Sequence, residues 1–485
     1  MKRLDQLTFT RFIAALTVVI FHNGRTIFPF NIFPINPLFT SGTSAVGYFF
    51  VLSGFVMSLA YYRPDEKIDT RGFWLARFSR IFPIYLVSLL LTCLHFMDAT
   101  VRAKAAEYLS ALLLMQAWVP DFALTFNFPA WSLSIEVFFY LLFPALAIWM
   151  ARSKWSVRAW IWLSIALWTV NQLIVFVLGR IWPNTPFYDN LLSYFPPMHL
   201  SLFLLGTVGG MWYVRVGQSR ISGQALTRWM FLLGLGLMSA GLISKGSVGI
   251  AITKGLLAPF FLVIILSLAM ETSILARTLS QPWMIRLGDA SYGIYILHMP
   301  VRWIATDVTT KLNIHLPPLV DFLLYVLLLI FISLLMYSWI EKPARDWLRE
   351  HPARLSMLAG DTLLLVGALY LSYLVRVGLD IRNYIDSLNL AVRLGIPAYL
   401  FLLILFRAYT PASDGKITAW AVRALAPAST LGILFLTGLL FFASRVEWIG
   451  TFPRSMLAVN LVLSAGFLYA HRYLLHRWKF TPAEK

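Results

Sequence analysis

The sequence predicts an all-α polytopic integral membrane protein of about fourteen transmembrane helices, ten followed by four, with both termini cytoplasmic. Three observations carry that prediction. The 485 residues are 59% hydrophobic and only 13% charged, whereas a soluble chain carries about 25% charged residues. Apolar runs of roughly 20 residues recur along the chain, each long enough to cross a bilayer as a helix. With the N-terminus inside, 27 of the 40 Lys and Arg residues fall in the segments of one face, as the positive-inside bias requires. Those segments are 1–11, 63–80, 151–158, 215–228, 271–287, 341–357, 407–423 and 471–485.

The first run, 10–28, follows Lys2 and Arg3 with no small-residue cleavage site behind it, so it reads as a retained span. Spans near 42–62, 78–97 and 130–150 come next. Between the last two, AAEYLSALLLMQAWV (105–119) is apolar but short, which fits an interfacial or re-entrant piece. Counting it as a span would put RSKWSVR (152–158) on the outer face. Hydropathy then places spans near 158–178, 195–214, 229–244, 251–270, 289–309 and 319–340. Residues 1–345 form this ten-helix membrane domain. WIEKPARDWLREHPAR (339–354) leads into a basic amphipathic cytoplasmic linker at 346–357. Residues 358–485 form a four-helix extension with spans near 358–375, 391–406, 424–443 and 456–470. The least regular is 391–406, which Arg393 and Pro397 interrupt.

Two function classes recede at once. The net charge of +18 is what short basic inside loops produce in a membrane protein, so it does not imply nucleic acid. The single cysteine, Cys93, has no partner for a disulfide or a metal site.

The ionisable residues inside the apolar runs carry the chemistry, because such groups are costly in a bilayer and face a protein interior or a wet cavity. In RFIAALTVVIFH (11–22), Arg11 and His22 are eleven residues apart. That is about three turns plus 20°, one face, roughly 16 Å along the axis. Glu136 is the only acid in PAWSLSIEVFFYLLFP (129–144), with Ser132 one turn earlier on its face. His22 and Glu136 both fall about six residues from the outer end of their spans. Matching depth would let the carboxylate fix the imidazole's tautomer and favour its action as a base. At the inner end, ARFSRIFPIY (76–85) puts Arg77 and Arg80 one turn apart, after Arg63, Lys67 and Arg71. Paired arginines grip phosphate bidentately. A cationic inner mouth above a buried acid–base pair, sharing one tunnel, suits a long anionic donor whose reactive end hangs into the membrane.

In order along residues 1–345, five elements resemble the membrane-bound acyltransferase 3 family. They are Arg11 with His22, YFFVLSGFVM (48–57), RFSRIFPIY (77–85), WSLSIEVFFYLLFP (131–144) and GDASYGIYILHMPV (288–301). The resemblance implies O-acylation, usually O-acetylation, of an extracytoplasmic or lipid-linked surface polysaccharide. Acyl-CoA, most often acetyl-CoA, would be the donor from the cytoplasmic side of a bacterial inner membrane, with no metal. By position, His22 would be catalytic with Glu136 in support, and Arg11, Arg77 and Arg80 would hold the donor. Ser132, Ser291, Tyr292, Tyr295 and His298 would line the cavity. His22 would act as a general base or carry the acyl group covalently. The family's plain form ends after ten spans or continues into a soluble hydrolase-like domain. Here DTLLLVGALYLSYLVRVG (361–378) and FPRSMLAVNLVLSAGFLYAHRYLLHR (452–477) instead resemble the four-helix membrane region of polysaccharide-biosynthesis nucleotide-sugar dehydratases and epimerases. Their catalytic Rossmann part, with its GxGxxG, is absent.

A polysaccharide or lipid-linked-sugar transporter or flippase is the competing reading, since an ionisable cavity is equally expected there. It predicts inverted repeats, and none is evident. A membrane glycosyltransferase predicts acids in the first outer loop, and PFNIFPINPLFTS (29–41) has none.

Overall fold

The computed structural model describes residues 4–33, 35–63, 68–96, 105–182, 185–217, 229–233, 252–271, 274–350, 352–406, 408–409 and 420–479. Among them every regular element is helical. Lys67, most of the expected span 229–244 and residue 351 of the expected linker lie outside the described residues.

Eight helices are long and apolar enough to cross a membrane among the described residues, or nine if the bent pair Pro186–Tyr194 and Pro196–Arg215 is one span. The main helices are α1 (Asp5–Asn23), α2 (Ser44–Tyr61), α3 (Thr70–His95), α4 (Trp131–Arg152) and α5 (Val157–Ile181). α6 (Leu200–Trp212), α7 (Ala258–Met270), α8 (Pro282–Lys311) and α9 (Pro318–Met336) follow. α10 (Pro352–Val377), α11 (Ile396–Leu405), α12 (Ala426–Arg445) and α13 (Met456–Lys479) complete the set.

The expected spans that do not reach that apolarity are informative. α1, α8 and α13 have ample length, at 19, 30 and 24 residues. What they lack is hydropathy. α1 carries Arg11 and His22, α8 carries Arg286, Asp289 and His298, and α13 carries His471 and Arg472. α7 is short for a span at 13 residues. The interrupted run around Arg393 is continuous as Ile385–Leu405, which passes through a π-turn at Ala391–Gly395. The apolar segment 105–119 contains one α-helix of eight residues, Ala105–Leu112, and a single 3-10 turn, Gln116–Trp118. The α-helix's length of about 12 Å is far short of a bilayer core.

Backbone proximity in the first unit is built from small residues. A Cβ on Gly206 of α6 would run into the Val51 carbonyl oxygen of α2, and one on Gly54 of α2 would meet the Phe203 carbonyl oxygen of α6. Gly210 repeats the contact one turn on, against Phe55. This is how helices associate where lipid supplies no hydrophobic drive. Ser58 Oγ then reaches the Thr207 carbonyl across the seam at 2.9 Å. Gly206→Val should force the two helices apart, at a cost of about 1–3 kcal/mol. A fall in the thermal unfolding midpoint in detergent would register it, whereas an unchanged midpoint would mean the seam is loose.

The chain divides into two compact units, Met1–Thr92 with Ser110–Asp346, and Cys93–Leu109 with Trp347–Lys485. The second unit packs α10 against α13. Its fully buried Asp361 accepts from Arg472 Nη2 at 2.6 Å and Tyr409 Oη at 2.8 Å, with His471 Nδ1 at 2.8 Å. Buried charge is tolerable when paired and hydrogen-bonded in this way.

Candidate active site

The site lies in the first unit, where α1, α2, α3, α4 and α8 meet. A cavity of about 90 Å³ is lined by Arg11 from α1, Phe49 and Ser53 from α2, and Arg77 and Arg80 from α3. Ser132, Glu136 and Tyr140 of α4 and Ser291, Tyr292 and Tyr295 of α8 complete the wall. Drug-sized ligand sites run to about 300–1,000 Å³, so this space takes a slender chain or one charged group and not a whole nucleotide.

Its cationic side is densely furnished. Arg77 donates from Nη2 to Tyr61 Oη at 3.2 Å, and its guanidinium lies 5.5 Å from the Tyr61 ring and 5.7 Å from the Phe73 ring. Its Nε is buried without a hydrogen-bond partner. An unpaired buried donor of this kind costs about 1–3 kcal/mol, and an anion in the cavity would relieve it. Arg80 and Arg11 feel Glu136, Glu341 and Asp289 electrostatically, as well as each other. Glu136 Oε2 accepts from Tyr140 Oη at 2.6 Å, one turn along α4.

The imidazoles sit elsewhere. His22 Nδ1 lies 2.9 Å from His298 Nε2, with ring planes within 12°. The Phe128 ring meets His22 edge-on at 5.0 Å. Tyr295 separates this pair from the cavity. Its ring is 5.8 Å from Phe49 on one side and 6.1 Å from His298 on the other. Its hydroxyl sits 2.8 Å from Ser132 Oγ and donates to the Pro129 carbonyl at 3.1 Å.

The sequence-predicted residues therefore fall into two groups. Arg11, Arg77, Arg80, Ser132, Glu136, Ser291, Tyr292 and Tyr295 share the cavity, while His22 pairs with His298 beyond it. Two expectations are corrected. Glu136 is not the partner of His22, and the reason lies in where α1 stops. The helix ends at Asn23 rather than at 28, so His22 sits in its last turn beside Phe128, just ahead of α4. Glu136 lies more than a turn inside α4 and falls level with the arginines, where a carboxylate finds opposite charge. The expected single tunnel from arginines to imidazole is not what the cavity outlines: its lining reaches Tyr295 and includes neither His22 nor His298. Two lining residues do structural work as well. Tyr292 Oη donates to the Ile81 carbonyl at 2.6 Å, tying α8 to α3, and Ser291 Oγ donates to Gly288 within α8 at 2.7 Å.

Sequence reasoning missed Glu341 and the pairing of the two histidines. Glu341 closes a π-turn, Tyr337–Glu341, at the end of α9 and is 2% exposed. An acid directly after a long apolar run is the available signal, but as the first residue of the inside segment 341–357 it passes for a surface charge. Among the described residues, no group of three or more His, Cys, Asp or Glu is placed to hold a metal ion.

Comparison with known proteins bears on what this arrangement serves. No solved structure matches the chain. It is 27% identical to the acyltransferase MdmB of Streptomyces mycarofaciens over 325 residues, covering 62% of this chain and 79% of that one. It is 24% identical to the O-acetyltransferase OatA of Staphylococcus aureus over 380 residues, covering 71% of this chain and 59% of that one. A putative O-acetyltransferase of the same species, SACOL0978, is 23% identical over 388 residues, covering 71% of this chain and 58% of its own. The chain thus spans less than two thirds of the length of these two staphylococcal relatives. The acyltransferase domain model matches residues 4–338. With well over half its length in that match, the chain belongs to the acyltransferase 3 family, and its cavity arginines and paired histidines lie within the matched region.

Proposed function

We propose that the protein is a membrane O-acyltransferase that moves an acyl group, acetyl foremost, from cytoplasmic acyl-CoA to a hydroxyl of a surface polysaccharide or its lipid-linked precursor. The observation that carries this reading is the arginine-lined cavity separated from an imidazole pair by one tyrosine. Arg11, Arg77 and Arg80 match the phosphates of the donor, and the unpaired Nε of Arg77 is a donor waiting for an acceptor oxygen. His22, in the last turn of α1, is the base for the incoming hydroxyl.

The step balances without a metal or redox partner. His22 takes the proton of the acceptor hydroxyl as that oxygen bonds to the acyl carbon. The carbon–sulfur bond then breaks, and the same proton leaves on the thiol. Arg11, which lines the cavity with Arg77 and Arg80, stays with the donor's phosphates about three helical turns from His22. Tyr295 must turn aside for the two substrates to meet.

Topology completes the proposal. Fourteen spans with both termini cytoplasmic put the arginines toward the coenzyme and His22 toward the outer leaflet of a bacterial cytoplasmic membrane. Residues 1–345 act as the transferase and 346–357 as a cytoplasmic linker. The four helices of 358–485, resembling a glycan-biosynthesis membrane region, hold the enzyme near its lipid-linked acceptor.

Isotope-labelled acetyl-CoA added to inside-out vesicles that contain the protein and its host glycan tests the whole reading. Ester-linked label on glycan inside the vesicles is the expected result. Glycan translocated without label would establish the flippase reading instead.

A further inference from the structure

The hydrogen bonds running from Tyr295 through His298 to His22 settle where the protons are. A backbone carbonyl only accepts, so His298 Nδ1, 2.6 Å from the Tyr295 carbonyl oxygen, carries a proton. In a neutral imidazole the other nitrogen is then a lone pair. That nitrogen, Nε2, lies 2.9 Å from His22 Nδ1, so His22 Nδ1 must be the donor. The same counting leaves His22 Nε2 without a proton.

We propose that His298 is a positioning residue that holds His22 in one tautomer, through a carbonyl of its own helix, so that Nε2 of His22 meets the acceptor hydroxyl. This rests on reading His22 as the base. Three features make the device rigid. His298 is completely buried, so water does not compete for its nitrogens. The His298 carbonyl accepts from Tyr325 Oη of α9 at 2.8 Å, which pins the backbone beneath the ring. Asn23, next to His22, donates to that same Tyr325 oxygen at 3.4 Å. The arrangement resembles a nucleophile–base–orienter series with a neutral imidazole where a carboxylate commonly stands.

In the step, the acceptor's proton moves to His22 Nε2 as oxygen attacks the thioester carbon. The imidazolium so formed keeps its Nδ1 proton in the bond to His298 Nε2, which spreads the charge over two rings. When the carbon–sulfur bond breaks, Nε2 hands its proton to the departing thiolate. Both histidines end as they began.

Two substitutions of similar polarity separate this role from simple packing. Gln at 298 can place an acceptor oxygen where Nε2 was, while Asn can reach the Tyr295 carbonyl but not His22. His298→Asn should lower kcat on the order of 10²-fold with the donor KM little changed. His298→Gln should stay within roughly tenfold of the unsubstituted protein. Magic-angle-spinning spectra of 15N-histidine protein should show His22 as the Nδ1–H tautomer, converting to a mixture in His298→Asn. Coenzyme A binding, measured in the same samples, reports an intact fold. Full activity of His298→Asn, or a His298→Gln as impaired as it, or an Nε2–H tautomer at His22, each overturns the inference. If His22→Ala itself retains transfer, the proposed function fails first. If His22→Ala is inactive and His298→Asn is not, only the tautomer device falls.

Discussion

Alanine at position 22 is expected to lower acyl transfer by about 10²–10⁴-fold, the range that a positioned general base contributes. The substitution removes the nitrogen that, in the proposed step, takes the acceptor's proton, and it leaves His298 Nε2 without its 2.9 Å partner. It does not touch the cavity, since His22 lies beyond Tyr295. Coenzyme A should therefore bind His22→Ala protein as it binds the original, and glycan should still be exported, but without its ester. Mass spectrometry of surface glycan from cells expressing the variant reads this directly. Persistence of the ester at its usual level would remove His22 from the chemistry.

The second large effect belongs to the arginines. Replacing Arg77 and Arg80 together with alanine should weaken coenzyme A binding by roughly 10²-fold or more, because each charge-assisted hydrogen bond contributes about 1.5–3 kcal/mol. Titration calorimetry on detergent-purified protein measures it. Equal affinity in the double variant would show that the donor binds elsewhere. The substitution also takes the charge of Arg80 from Glu136 and Glu341, leaving Arg11 to face them, and a less compensated buried charge is destabilising. Adding Glu341→Gln removes one of those charges. A triple variant that unfolds at the original temperature and still fails to bind coenzyme A isolates the binding role. Lysines at 77 and 80 should fall between, since they keep charge but lose the planar fork. The Arg77 bond to Tyr61 is one such fork contact.

Much of the fold was legible because its dominant signal, a run of apolar residues, is one-dimensional. Eight of the fourteen expected spans coincide with helices that are long and apolar enough to cross. The site was legible by a different rule, that an ionisable group in an apolar run is there for a reason, and Arg11, Arg77, Arg80 and Glu136 do meet in space. What the sequence withheld was register. Depth was estimated from hydropathy edges, and the five-residue difference between 28 and Asn23 carried His22 away from Glu136. Hydropathy does not see the turn after Asn23, where Gly24 lies against the Phe322 ring. Glu341 was hidden by the opposite error. The charged residues that follow it point to the surface, although Glu341 is buried at the end of a π-turn. The π-turn has no simple periodic signature, so neither its geometry nor the burial it causes was available from spacing.

Tyr295, tied by its hydroxyl to Ser132 and to the Pro129 carbonyl, has a consequence at the scale of the cell. The membrane in which we place this enzyme stores energy as a proton gradient. Charged side chains line the cavity on one flank of Tyr295, and the half-buried His22 with the fully buried His298 lies on the other. Under the proposed function, a tyrosine held by two hydrogen bonds between those groups keeps the resting enzyme from opening a water-filled path, and so from draining the battery that powers the cell.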